Sequence, residues 1–124
     1  MIENKLEVVI VDDEIQITEL LKSFIMISVE NVYVHTFNNP LNAKLFLKNN
    51  KPDILITDYK MPDIDGVQLL KCADPSVKKV MISGYISEIA AEKIQELNVT
   101  CFEKPVPLKK LADIIQELET KINA

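Results

Sequence analysis

The chain has 124 residues, 48% of them hydrophobic, and a formal charge of −5 at pH 7. That length and apolar content suit one domain with its own core and give no sign of disorder, while the acidic balance argues against direct nucleic-acid binding. Two cysteines without metal-ligand spacing suit a reduced, cytoplasmic setting, no signal-peptide stretch opens the chain, and no apolar run is long enough for membrane insertion.

Helical and strand patterns alternate along the whole chain. Residues 6–11 (LEVVIV) are a short, mostly apolar run that reads as a strand. Residues 15–29 follow with Ile17, Leu20, Leu21, Phe24, Ile25 and Ile27 at helical spacing, which predicts a helix with a broad buried face. Residues 32–37 (VYVHTF) are β-branched and aromatic, a second strand. Residues 40–48 form a helix with Asn39 as its cap and Pro40 in its first turn. Residues 53–57 are a third strand, and 66–71 a short helix that ends near Asp74 and Pro75. Residues 79–83 are a fourth strand. Residues 87–97 are a helix with Ile89, Ala90, Ile94 and Leu97 on one side. Residues 99–102 are a fifth strand, and 108–122 a final helix with Leu108, Leu111, Ile114, Ile115, Leu118 and Ile122 at helical spacing.

Five short apolar strands alternating with helices are the pattern of parallel strands covered on both faces. Right-handed crossovers then give a doubly wound α/β sandwich. No repeat, low-complexity segment or linker interrupts it, so residues 1–124 are expected to be a single domain.

In open α/β sheets, ligands bind beyond the carboxyl ends of the strands. The residues at those ends are Asp12, Asp13 and Glu14 after the first strand, Asp58 after the third, Ser83 at the end of the fourth, and Lys104 with Pro105 after the fifth. Taken singly, most have a plain structural reading. Asp12 and Asp13 suit the N-terminus of the first helix, Ser83 a turn, Lys104 a solvated surface, and Asp63 and Asp65 are ordinary turn formers. Met61 and Pro62 shape the acidic loop, and His35 reads as a strand-surface residue. Jointly, the strand-end set has a specific chemistry. Adjacent carboxylates raise one another's pKa unless a cation sits among them, and an oxygen-only set without His or Cys points to Mg²⁺. A hydroxyl and an ammonium opposite the metal would neutralise phosphoryl oxygens, and a central carboxylate can be the nucleophile, giving an aspartyl-phosphate.

Together, the acidic pair Asp12 and Asp13, the run DYKMPDIDG from Asp58 to Gly66, Ser83, and Lys104 followed by Pro105 resemble the response-regulator receiver domain of two-component signalling. The resemblance covers essentially the whole chain. It implies a (βα)5 flavodoxin-like fold with strand order 2-1-3-4-5. It further implies Asp58 as phosphoacceptor and Mg²⁺ ligand, Asp13 as a direct Mg²⁺ ligand, Asp12 as a ligand largely through water, and the main-chain carbonyl of Lys60 as a further protein ligand. Ser83 and Lys104 would bond phosphoryl oxygens, and the peptide before Pro105 would be cis. The phosphoryl donor would be a sensor histidine kinase or a histidine phosphotransfer protein. It would dock over Glu14, Ile15, Thr18 and the loop at Pro105 and Val106, and the receiver would catalyse the transfer and its own slow dephosphorylation.

Some positions depart from the commonest family pattern. Gly84 often has alanine in its place, and Tyr85 and Lys60 flank the approach to the phosphoryl group. Cys101 stands where the family usually has the aromatic ring of its switch, and the aromatic residue here is Phe102, one place later. Strand alternation puts Phe102 on the opposite face. Two other functions compete. Aspartyl-phosphate phosphatases usually carry a second acid two residues after the nucleophile, where this chain has Lys60. A pseudo-receiver acting only as a binding surface would not need every phosphorylation residue. The sequence shows no output domain after its last helix, which leaves a single-domain regulator or a piece cut from a longer protein, and the natural-looking start and the end KINA lead to the former as the expectation.

Overall fold

Strands rich in Val, Ile and Leu pair in parallel, in the order β2-β1-β3-β4-β5. They are β1 (Leu6–Val11), β2 (Val32–Phe37), β3 (Ile54–Asp58), β4 (Lys78–Ser83) and β5 (Thr100–Glu103). The helices are α1 (Ile15–Ser28), α2 (Pro40–Asn49), α3 (Gly66–Leu70), α4 (Ala91–Leu97) and α5 (Leu108–Ile122). The computed structural model describes residues 4–84 and 89–124. The predicted doubly wound fold and its strand order are what the structure shows.

Side-chain alternation gives each face of the sheet its own core. Leu6, Val8, Ile10, Ile54, Ile56, Val80 and Ile82 meet Leu21 and Ile25 of α1 and Leu111 and Ile115 of α5. Val9, Val11, Leu55 and Met81 meet Ala43 and Leu47 of α2 and Leu69 and Leu70 of α3. Strand β3 lies between both cores and is buried along its whole length. Chain order reverses between β1 and β3, so the loops after these two strands turn to opposite sides and leave a crevice between them.

Several boundaries differ from expectation. Strand β3 ends on Asp58 rather than before it, so the carboxylate belongs to the hydrogen-bonded strand. Strand β5 covers 100–103, one residue later than predicted, because Asn98 takes a left-handed conformation (φ 53°) that closes α4. The predicted start of α4 at Ser87 lies outside the described residues. Within them, Ile89 is buried, but Ala90 is an exposed N-cap and does not share its side.

The broad buried face expected of α1 is narrower. Thr18, Leu21 and Ile25 are buried, whereas Leu20 is 54% and Ile27 87% exposed. Those two positions lie roughly 100° and 120° around the helix from Leu21, beyond the stripe a single sheet face can cover. His35 is also less exposed than expected. It is half-buried, its Nε2 lies 2.6 Å from Glu7 Oε2, and its ring stacks against Phe46 at 4.9 Å. Asn39 caps α2 and Pro40 opens it, as predicted.

Candidate active site

The crevice beyond β1 and β3 gathers three carboxylates. One oxygen each of Asp12, Asp13 and Asp58 lies within 4.8 Å of the others. Asp12 and Asp58 are buried and Asp13 is exposed. Neither Asp12 nor Asp13 caps α1, so the structural reading of that pair does not hold. The N-cap is Glu14, and Asp12 Oδ1 instead accepts from the Glu14 N–H at 2.9 Å, a tight local turn. The acid-pair loop is therefore shaped by Asp12 itself.

Asp58 is held from several sides. The Tyr59 N–H donates to Asp58 Oδ1 at 2.9 Å and to the Ile82 carbonyl at 3.0 Å, which ties the start of the acidic loop to β4. Thr57 Oγ1 donates to the Asp58 carbonyl at 2.9 Å. The Gly66 N–H donates to the Tyr59 carbonyl at 2.8 Å and folds the acidic loop back onto the strand end. A Cβ at position 66 would stand 2.5 Å from the Asp58 carbonyl oxygen, so only glycine fits there. Within that loop, Asp63 takes a left-handed conformation, in keeping with a turn former, whereas Asp65 caps α3 in a reciprocal box with Gln68 and is a helix cap instead.

Lys104 supplies the positive charge. Its Nζ lies 3.3 Å from Asp58 Oδ1. Its N–H donates to the Ser83 carbonyl at 2.8 Å, which binds the ends of β4 and β5 together. The Lys104–Pro105 peptide is cis. Ser83 is buried at the end of β4. Lys60 is exposed, two residues beyond Asp58.

The electrostatics mark a cluster short of positive charge. Burial pushes the Asp12 carboxyl up to about 6, and the neighbouring Asp58 charge adds to the rise. Burial also raises Asp58, against the opposing pull of Lys104. Partly desolvated carboxylates at this spacing repel, and a bound cation relieves both penalties. The oxygen donor set fits a hard divalent ion.

The expected docking surface needs one correction. Ile15 is 61% exposed and Glu14 is exposed, but Thr18 is fully buried and its Oγ1 donates to the Ile15 carbonyl at 3.0 Å. Two residues escaped the sequence reading. Asn38 bonds the acid-pair loop, and its signal was a second asparagine beside a cap that needs only one. Lys79 is buried with its Nζ on the carbonyls of Asp74 and Val77, and nothing in the sequence distinguished it from a solvated lysine.

These features define a doubly wound α/β domain with an acidic, cation-ready site at the carboxyl edge of its sheet. Residues 8–116 match the response regulator receiver domain family, and the chain belongs to it. Receiver domains of two-component response regulators are phosphorylated on aspartate by histidine kinases. The chain is 25% identical over 115 residues to the sporulation initiation phosphotransferase F of Bacillus subtilis, covering 90% of this chain and 91% of that one. It is 26% identical to an uncharacterized response regulatory protein of Vibrio cholerae, covering 91% of this chain but only 48% of the longer relative. Among solved structures, the CheY-like receiver domain protein of Methanospirillum hungatei superposes with a TM-score of 0.80 at 24% identity, over 95% of this chain and 96% of that one. Among the described residues, no helix is long and apolar enough to cross a membrane.

Proposed function

We propose that the chain is a Mg²⁺-dependent phosphoaspartyl switch: Asp58 accepts a phosphoryl group from a phosphohistidine donor, and Ser83 and Lys104 then bind the phosphoryl oxygens. The observation that carries this reading is the meeting of three carboxylates with an ammonium 3.3 Å from Asp58. An Asp58 oxygen forms a bond to phosphorus as the P–N bond of the donor imidazole breaks, and that bond's electron pair stays on the ring nitrogen. Asp13 would hold Mg²⁺ directly and Asp12 largely through water, with Asp58 and the Lys60 main-chain carbonyl as further ligands. Bound Mg²⁺ would supply the positive charge that neutralises the cluster and the transferring oxygens. Burial raises the Asp58 carboxyl, and Lys104 opposes that rise and so favours the ionised form, whose lone pair attacks phosphorus. Its backbone bond to the Ser83 carbonyl joins the two strand ends that carry the hydroxyl and the ammonium.

The donor is a sensor histidine kinase or a histidine phosphotransfer protein, docking over Glu14, Ile15 and the loop at Pro105 and Val106. The near full-length likeness to a phosphotransferase supports a place in phosphoryl transfer. A downstream protein reads the phosphorylated form, and the chain carries out transfer and slow dephosphorylation itself. A cytoplasmic location and a single receiver domain over residues 1–124 belong to this reading, and the two free cysteines fit a reducing compartment.

Incubation with acetyl phosphate and Mg²⁺ should give an acid-stable, base-labile adduct of one phosphoryl mass. An Asp58→Asn protein that gains the same mass at the same rate overturns the assignment.

A further inference from the structure

We propose that Asn38 is a positioning residue for the acidic pair, holding the β1–α1 loop so that Asp13 can meet the cation; the inference rests on the Mg²⁺ chemistry proposed above. Two asparagines follow β2. Asn39 has a plain task, since its Oδ1 accepts from the Leu41 N–H at 2.9 Å and caps α2. Asn38 has a different one. Its Nδ2 donates to the Asp12 carbonyl at 2.9 Å and to Thr18 Oγ1 at 2.9 Å. Thr18 is fully buried and donates in turn to the Ile15 carbonyl. One amide group just beyond the edge strand thus ties the first acid to the first turn of α1.

The carbonyl that Asn38 holds belongs to the peptide joining Asp12 to Asp13. That peptide is planar, so fixing its oxygen fixes the direction in which the Asp13 backbone sets out. On the other side, the Asp12 N–H donates to the Phe37 carbonyl at 3.1 Å. Asp13 is exposed, so no core packing orients its carboxylate, and its place is inherited from this loop. Groups that bond metal-ligating residues from behind set ligand direction and so set affinity. Asn38 is itself exposed, and its truncation opens no core cavity.

The test is a Mg²⁺ titration followed by NMR at the Glu14 and Tyr59 amides, together with acetyl-phosphate labelling across Mg²⁺ concentrations. Asn38→Ala should weaken Mg²⁺ binding about three- to tenfold, at or below the low end for loss of such a partner. The half-saturating Mg²⁺ for labelling should rise by the same factor, with the rate at saturating Mg²⁺ kept. Asn39→Ala removes a cap beside it, so it should lower the melting temperature and leave Mg²⁺ affinity where it was. Wild-type affinity in Asn38→Ala overturns the proposal. So does an Asn39→Ala protein that loses affinity equally, because general destabilisation then explains both. A wild-type protein that binds no Mg²⁺ removes the metal reading and this inference with it, an outcome distinct from the other two.

Discussion

Lys104 Nζ stands 3.3 Å from Asp58 Oδ1, so one cation already occupies the ground that a metal and a phosphoryl group would contest. Replacing it separates two effects. Lys104→Met keeps the chain length and removes the charge, leaving the acidic cluster more negative. Mg²⁺ affinity should rise about three- to tenfold by the Coulomb argument. Labelling by acetyl phosphate at saturating Mg²⁺ should fall at least about tenfold, since a donor to the phosphoryl oxygens is lost. Paired titration and labelling measure both, and unchanged values for the two would show that Lys104 serves only the loop.

Asp12 makes the metal-free protein sensitive to pH. Its folded value of about 6 lies above the roughly 3.9 of an unfolded aspartate. Between these values the native state holds the proton and the unfolded state does not. Stability from this group is therefore full below about pH 4 and is lost as pH rises through about 6. A shift of that size amounts to about 2–3 kcal/mol. Asp58, also raised, acts in the same direction. In chelator, Asp12→Asn should be more stable than wild type at pH 7.5, with the gap closing by pH 4. The variant keeps the oxygen that accepts from Glu14, so the turn survives. Denaturant melts across pH would refute this if the gap is constant.

These residues also show what the sequence could and could not reveal. Short strands with carboxylates at their ends were legible because parallel-sheet burial and strand-end chemistry leave residue types in fixed order. Period-two alternation correctly separated Cys101 from Phe102. What escaped depends on three-dimensional neighbours. Helical periodicity in α1 counted Leu20 and Ile27 as buried, because it cannot tell how wide a stripe the sheet will cover. Thr18 looked like a surface residue near the pocket, yet its hydroxyl is satisfied inside by Asn38 and Ile15. Asn38 bridges 26 residues of sequence, which no local pattern encodes.

Gly66 is the tightest point of the acidic loop after β3. A methyl there would meet the Asp58 carbonyl oxygen at 2.5 Å, Met81 Sδ at 3.0 Å and Tyr59 Cα at 3.0 Å. Two of these neighbours are backbone and cannot swing aside. Gly66→Ala should cost about 1–3 kcal/mol, the usual range for forced overpacking. It should also slow labelling of Asp58, because the strain falls on the strand end that carries it. Gly84 has open space around its Cβ position, so Gly84→Ala provides the contrast. Equal stability of the two variants in urea would contradict this account.

Ile15 tests the docking surface separately from the chemistry. Its side chain is 61% exposed at the start of α1, beside the acid-pair loop, and an isolated apolar group there suits an interface anchor. Ile15→Ala should slow transfer from a phosphohistidine donor about tenfold and leave acetyl-phosphate labelling intact. Loss of both activities would mean that the pocket was damaged, and retention of both would remove Ile15 from the interface.

Cys101 sets the last prediction, which concerns how a phosphoryl signal leaves the site. Cys101 pairs with Met81, and both belong to the core on the α2 and α3 side of the sheet. Phe102 pairs with Ile82, and both belong to the opposite core with α1 and α5. On β4, Ser83 alternates in step with Met81, so the position behind the hydroxyl belongs to Cys101. A thiol is small and has no ring to relocate. Phe102 would have to pass through the sheet to take that part. On the function proposed above, the two states would differ through contacts of Ser83 and Lys104 with the phosphoryl oxygens, because only differential contacts shift an equilibrium. The segment that follows Ser83 would transmit the change, beginning at Gly84, whose surroundings are open. Its next residues, 85–88, lie outside the described structure. Free and beryllofluoride-bound crystal structures should show the 84–87 segment displaced and Cys101 in one rotamer. An unmoved segment with Phe102 turned inward behind Ser83 would overturn the scheme and make Phe102 the switch.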